Sequence, residues 1–140
     1  MTGTYFDVDR ISILCHKYDT LVFYDYAAVG PYLRINMNDY NTNFPLDDFK
    51  KQNKELCYMD AIFFSPHKFV GGPGASGILL VKKGLMYLNK PHRLGGGIVE
   101  FVNRNSHIYV NNPELAEEAG TPNIIGDIRA GLVFKVKEFC

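Results

Sequence analysis

The chain has 140 residues, 46% hydrophobic and 14% aromatic, enough apolar material for one globular core and no more than one domain. Its 15 basic and 15 acidic side chains cancel, so it lacks the basic excess of a nucleic-acid or polyanion binder. No run approaches the ~20 apolar residues that span a bilayer. The uncharged stretch Ile11–His16 is too short for a signal-peptide core, and a cytoplasmic protein is the expectation.

Residues 7–18 read as a helix. Val8, Ile11, Leu14 and Tyr18 recur at intervals of three and four, and Asp7 and Asp9 place negative charge at its start. The apolar run Leu21–Tyr24 stops at Asp25 and has the β-branched and aromatic character of a buried strand. Helix followed by apolar strand suggests half of a βαβ unit in a parallel sheet. Residues 36–43 are rich in Asn and Asp and read as loop, and 46–56 form a weak helix candidate. A second buried strand, 61–64, leads into a Gly- and Pro-rich loop, 65–77, and then directly into a third strand, 78–82. That loop holds no crossover helix, so the third strand is expected to run antiparallel to the second. Periodicity fades over 90–120, where Gly95-Gly96-Gly97 marks a tight turn. Thr121-Pro122 reads as N-cap and first residue of a last helix, with Ile125, Ile128, Leu132, Val136 and Phe139 as its apolar stripe. The chain stops in mid-pattern without a C-cap signal, which suggests truncation.

In open α/β sheets, ligands sit at the carboxyl ends of the strands. Here the first strand ends in Asp25 and the second in Ser65-Pro66-His67-Lys68. If the two strands are neighbours, a carboxylate and an amine face one crevice. Pyridoxal-phosphate (PLP) chemistry needs that pair: the amine forms an imine with the aldehyde, and the carboxylate keeps the ring nitrogen protonated. Ser65, His67 and nearby backbone amides could donate to the phosphate. Each piece alone has a plainer reading, as a solvated lysine, a turn-capping aspartate and a loop histidine. Other sites are poorly supported. GPGASG, 72–77, lacks the Gly-Lys-Ser/Thr of a nucleotide loop. His16, His67, His92 and His107 show no metal-ligand spacing, and a surface or capping role is expected for His16, His92 and His107. Cys15, Cys57 and Cys140 form no CxxC pair, which argues against a disulfide framework or a zinc site.

Four segments change these odds. DAIFFSPHKFVGGPGASGILLVKK, 60–83, resembles the lysine segment of the class V aminotransferase and cysteine desulfurase family, fold-type I PLP enzymes. FYDYAAVGPY, 23–32, resembles that family's aspartate strand; Gly95–Gly97 its glycine turn; and EEAGTPN, 117–123, its Gly-Thr-Pro motif. All four stand in family order. The resemblance implies PLP as cofactor, Lys68 as Schiff-base lysine and base at the substrate's α-carbon, and Asp25 as partner of the ring nitrogen. It implies Ser65 and His67 as phosphate contacts, and Thr121 as a residue reaching the phosphate of the other subunit, hence a homodimer. An amino acid would be the substrate.

The implied fold is α/β: residues 1–140 as part of a PLP-binding large domain, a mostly parallel sheet with one antiparallel strand after the lysine loop and helices packed on it. The early strands, the phosphate turn and the small domain would lie outside it. Ala28 departs from the Gln that desulfurases usually carry there, and DYAAVGPY favours the aminotransferase-like branch. None of the cysteines matches the desulfurase nucleophile by motif. Against the enzyme stands a second expectation, a non-catalytic remnant or assembly fragment with an incomplete site.

Overall fold

The computed structural model describes residues 3–87 and 90–140. Helix α1 spans Val8–His16, capped by Asp7, whose carboxylate accepts the Arg10 amide at 3.2 Å. Strand β1, Phe23–Asp25, follows, and the weak helix candidate resolves into α2, Asp48–Gln52, and a 3₁₀ turn over Lys54–Leu56. Strands β2, Ala61–Phe64, and β3, Ile78–Val81, complete a three-stranded sheet of order β1-β2-β3. β2 pairs parallel with β1 and antiparallel with β3, both orientations as expected.

One face of this sheet carries the core. Tyr24, Ile62, Phe64 and Ile78 pack there with Val8, Tyr26 and Met59. Burying a side chain such as Ile62 is worth about 1.5–3 kcal/mol. The opposite face is largely bare: Phe23, Phe63 and Leu79 are 59%, 41% and 64% exposed.

The register of β1 on β2 is held at its start by Asp60. Its Oδ2 accepts the Val22 amide at 2.8 Å and lies 2.9 Å from Nε2 of His16. Its backbone N–H donates to Val22 O at 3.1 Å, and its carbonyl accepts the Lys82 amide at 2.8 Å. His16 is therefore no surface residue. Its Nδ1 donates to Leu56 O at 2.8 Å and its ring stacks on Tyr58, so it is buried between a carbonyl and a carboxylate. A second buried polar group sits nearby, where Lys50 Nζ reaches Asp9 at 3.3 Å and Asp7 at 3.1 Å.

These polar pairs decide how α1 is turned. It buries Val8, Asp9, Ser12, Ile13 and His16, whereas Ile11, Leu14 and Tyr18 of the expected stripe face outward. Asp9, Ser12 and His16 each find a partner only in the observed orientation, and an unpaired buried polar group is costly.

Residues 90–120 hold more structure than their sequence suggested. β4, Val99–Val102, and β5, His107–Tyr109, form an antiparallel hairpin, its turn gathered by Asn103 Oδ1, which accepts the amides of Asn105 and Ser106. Helix α3, Pro113–Glu117, is capped by Asn112.

The last helix, α4, spans Ile124–Phe139 and starts two residues later than Thr121-Pro122 indicated. Asn123 takes the cap, accepting the Gly126 amide at 3.2 Å. It buries Gly126, Ala130 and Val133; the expected stripe of Ile125, Ile128, Leu132, Val136 and Phe139 is exposed. The small residues let the helix approach the 65–77 loop closely, a contact that a row of larger side chains would hold off. No helix among the described residues is long and apolar enough to cross a membrane.

Replacing Asp60 with Ala leaves the Val22 amide and His16 buried without their acceptor and should cost about 3 kcal/mol or more in urea unfolding. A loss under about 1 kcal/mol would contradict the role given to this carboxylate.

Burial pushes the phenol of Tyr24 up from its ordinary 10.0 to about 12. It pushes the Tyr26 phenol up as well. The folded chain therefore holds these protons more tightly than the unfolded one. That stabilisation is complete below about pH 10 and is lost as pH rises through the folded-state values. Stability measured from neutral pH to about pH 12 should fall along this limb, and Tyr24→Phe should flatten the fall.

Candidate active-site edge

The parallel pairing of β1 with β2 brings two chain ends to one edge. Asp25 is the last residue of β1 and aligns with Phe63. The ladder runs one residue further, with the Tyr26 amide donating to Phe63 O at 2.9 Å. Asp25 is exposed, and its Oδ1 accepts the Ala27 amide at 2.7 Å, turning the chain over the sheet edge.

On the neighbouring strand, Ser65 follows directly on β2 and is half-buried. Pro66–Lys68 then form a 3₁₀ turn, closed by the Lys68 amide on Ser65 O at 2.9 Å. Pro66 and Phe69 are buried on either side, and the turn lifts His67 and Lys68 into solvent between these two anchors. Gly72 fits beneath it because it has no side chain. A Cβ there would stand 2.0 Å from Pro66 O and 2.9 Å from Phe69 O.

The structure thus gathers Asp25, Ser65, His67 and Lys68 at the carboxyl ends of adjacent strands. Thr121 stands apart in the chain, exposed on the segment that leads to α4. A residue the sequence did not mark is Ser76, whose hydroxyl is buried without a hydrogen-bond partner among the described residues. It lies beside the first turn of α4: the Ser76 amide donates to Gly126 O at 3.2 Å. Nothing in the local sequence distinguishes it from an ordinary loop serine. Among the described residues no cluster of His, Cys, Asp or Glu is arranged to hold a metal.

The chain is similar in sequence and fold to known proteins. Residues 50–138 match the family model of aminotransferase class-V. A probable cysteine desulfurase of Mycoplasma pneumoniae is 39% identical over 72% of the chain and 25% of its own length. A putative csd-like protein of Haemophilus influenzae is 30% identical over 91% of the chain and 46% of its own length. Among solved structures, a cysteine desulfurase from Escherichia coli superposes with a TM-score of 0.70 at 28% identity, covering 97% of this chain and 29% of the other. An apo cysteine desulfurase from Thermococcus onnurineus shares the fold with a TM-score of 0.72 at 22% identity, covering 95% of this chain and 29% of the other. The chain spans only about a quarter to a half of the length of these proteins.

The residues present suit a pyridine aldehyde phosphate in kind. There is a primary amine and a carboxylate at one strand edge, with a hydroxyl and an imidazole between them in sequence.

Gly72→Ala should force the 66–69 turn open, because its new methyl group meets backbone oxygen rather than a movable side chain. A loss of about 2 kcal/mol or more is expected in thermal or urea unfolding. An alanine variant as stable as the parent would show that the turn tolerates a different path.

Proposed function

Because the chain belongs to the aminotransferase class-V family, we propose that residues 1–140 contribute part of the large domain of a PLP-dependent enzyme acting on an amino acid, with Lys68 as its central residue. The observation that carries this is the parallel β1–β2 register, which puts Asp25 and the Lys68 turn on one edge. The relatives named as cysteine desulfurases make cysteine the substrate to test first.

When bound, PLP withdraws electrons from the substrate's α-carbon. The chain's own residues have separable tasks. Lys68 would hold the cofactor through its amine, and its Nζ would take the proton from the substrate's α-carbon. Asp25 would hold the ring nitrogen protonated, and its bond to the Ala27 amide steadies the carboxylate for that task. Ser65 and His67 would donate hydrogen bonds to the phosphate. Thr121, on an exposed segment, would hold the phosphate of a second subunit, and the working unit would then be a homodimer.

A second function, as a non-catalytic assembly fragment, is favoured by the bare sheet face at Phe23, Phe63 and Leu79 and by the exposed apolar row on α4.

Incubating the purified chain with PLP separates the two. The enzyme function predicts a visible absorbance band and, after borohydride, a covalent adduct that peptide mapping places on Lys68. Lys68→Ala should abolish the adduct, and Asp25→Asn should weaken cofactor binding about tenfold or more. Absence of an adduct, or one that persists in Lys68→Ala, would leave the assembly function standing.

A further inference from the structure

Helix α4 meets both site-bearing loops along its whole length. Near its start, Gly126 O accepts the Ser76 amide at 3.2 Å. A turn later, the Arg129 guanidinium donates to Pro73 O. Phe134 packs against Phe69 and Phe64, with ring centroids 5.0 and 5.9 Å away. Near its end, Lys137 Nζ donates to the carbonyl oxygens of Gly30 and Leu33 and stands 5.6 Å from the centre of the Phe69 ring. Gly30 and Leu33 lie in the loop that follows Asp25, and Phe69 is the residue after Lys68.

The loop after β1 has little freedom to avoid this contact. The amides of Gly30 and Leu33 bond back to Tyr26 O and Val29 O, at 2.8 and 3.2 Å, so the loop forms a tight turn. The carbonyls reached by Lys137 stand at the end of that turn, where a cation is favoured. A Cβ on Gly30 would stand 2.7 Å from Tyr26 O, 3.1 Å from Phe64 and 3.3 Å from Phe69, so this turn is pressed against the aromatic pair beside Lys68. A lysine on the last turn of an exposed helix ordinarily extends into water. This one turns inward, and burial pushes its pKa down.

We propose that Lys137 is a positioning residue: by bridging the Gly30 and Leu33 carbonyls and the Phe69 ring, it sets the spacing between the Asp25 loop and the Lys68 turn. The role rests on the cofactor assignment of Lys68 and Asp25 given above. Lys137 touches neither of them. It acts through the turn that follows one and the aromatic ring that follows the other.

Amide hydrogen exchange on the full chain, with Lys137→Met and Lys137→Arg, tests the bridge without any cofactor. Lys137→Met should lower protection at Gly30, Leu33 and Gly72 by about ten- to a hundredfold. The β2–β3 ladder and α1 should stay as in the parent, and Lys137→Arg should restore most of the loss. Uniform loss along the chain, or unchanged loops, overturns the proposal. Borohydride trapping on Lys68 is the second measurement. Lys137→Met should trap about tenfold less than the parent at limiting PLP, and Lys137→Arg nearly as much as the parent; equal trapping in Lys137→Met and the parent overturns the positioning role. If the parent traps nothing, the cofactor assignment fails and the positioning role with it, while exchange alone decides whether the bridge exists.

Discussion

Strand β2 can serve two neighbours only because Asp60 ties down its beginning. The carboxylate accepts the Val22 amide and meets His16, while the Asp60 backbone bonds Val22 on one side and Lys82 on the other. One residue thus joins α1, the lead into β1, the start of β2 and the end of β3. A parallel pair has no hairpin to set its register, so the alignment has to come from contacts of this kind. Once Phe23 stands opposite Ala61, Asp25 stands opposite Phe63, and the two strands end within one residue of each other. The proximity of the Asp25 loop to the Lys68 turn is a consequence of a buried carboxylate at the far end of the sheet.

The helices show the same dependence on polar partners. α1 turns Asp9, Ser12 and His16 inward, toward Asn41 and Lys50, Tyr24, and Asp60 respectively. α4 approaches through Gly126, Ala130 and Val133 and hangs its longer polar side chains, Arg129 and Lys137, onto loop carbonyls. Both leave apolar rows in solvent, alongside the bare side of the sheet. Strands flanked by a parallel partner are ordinarily covered on both faces, and the solved structures that share this fold are more than three times as long as the chain.

Much of the sheet was legible. Ala61–Phe64 emerged with its observed bounds because an uninterrupted apolar run stands between Asp60 and Ser65, and its antiparallel neighbour followed from a connection too short for a crossover. The hairpin at 99–109 escaped notice because both its strands are mostly exposed, so no alternation of apolar and polar residues records a buried face. The α4 cap was misplaced by two residues, since Thr121-Pro122 and Asn123 offer competing start signals and only the backbone path selects Asn123. His16 looked like a surface residue because its partners, Leu56 and Asp60, are 40 and 44 positions away.

By itself, then, the sequence determined what local chemistry can determine: apolar runs that become β1, β2 and β3, the breakers that end them, and so the placement of Asp25 and Lys68 at strand ends. Its four family-like segments determined the kinship. Tertiary structure alone decided which sides of α1 and α4 face inward, that His16 and Lys50 are buried, and that Lys137 reaches the loop beyond Asp25 more than 100 residues earlier in the chain. The reason is physical. Helical periodicity reports where apolar side chains fall, but a buried amine or imidazole is stable only against a particular acceptor. Where that acceptor lies is set by the folded path of the chain.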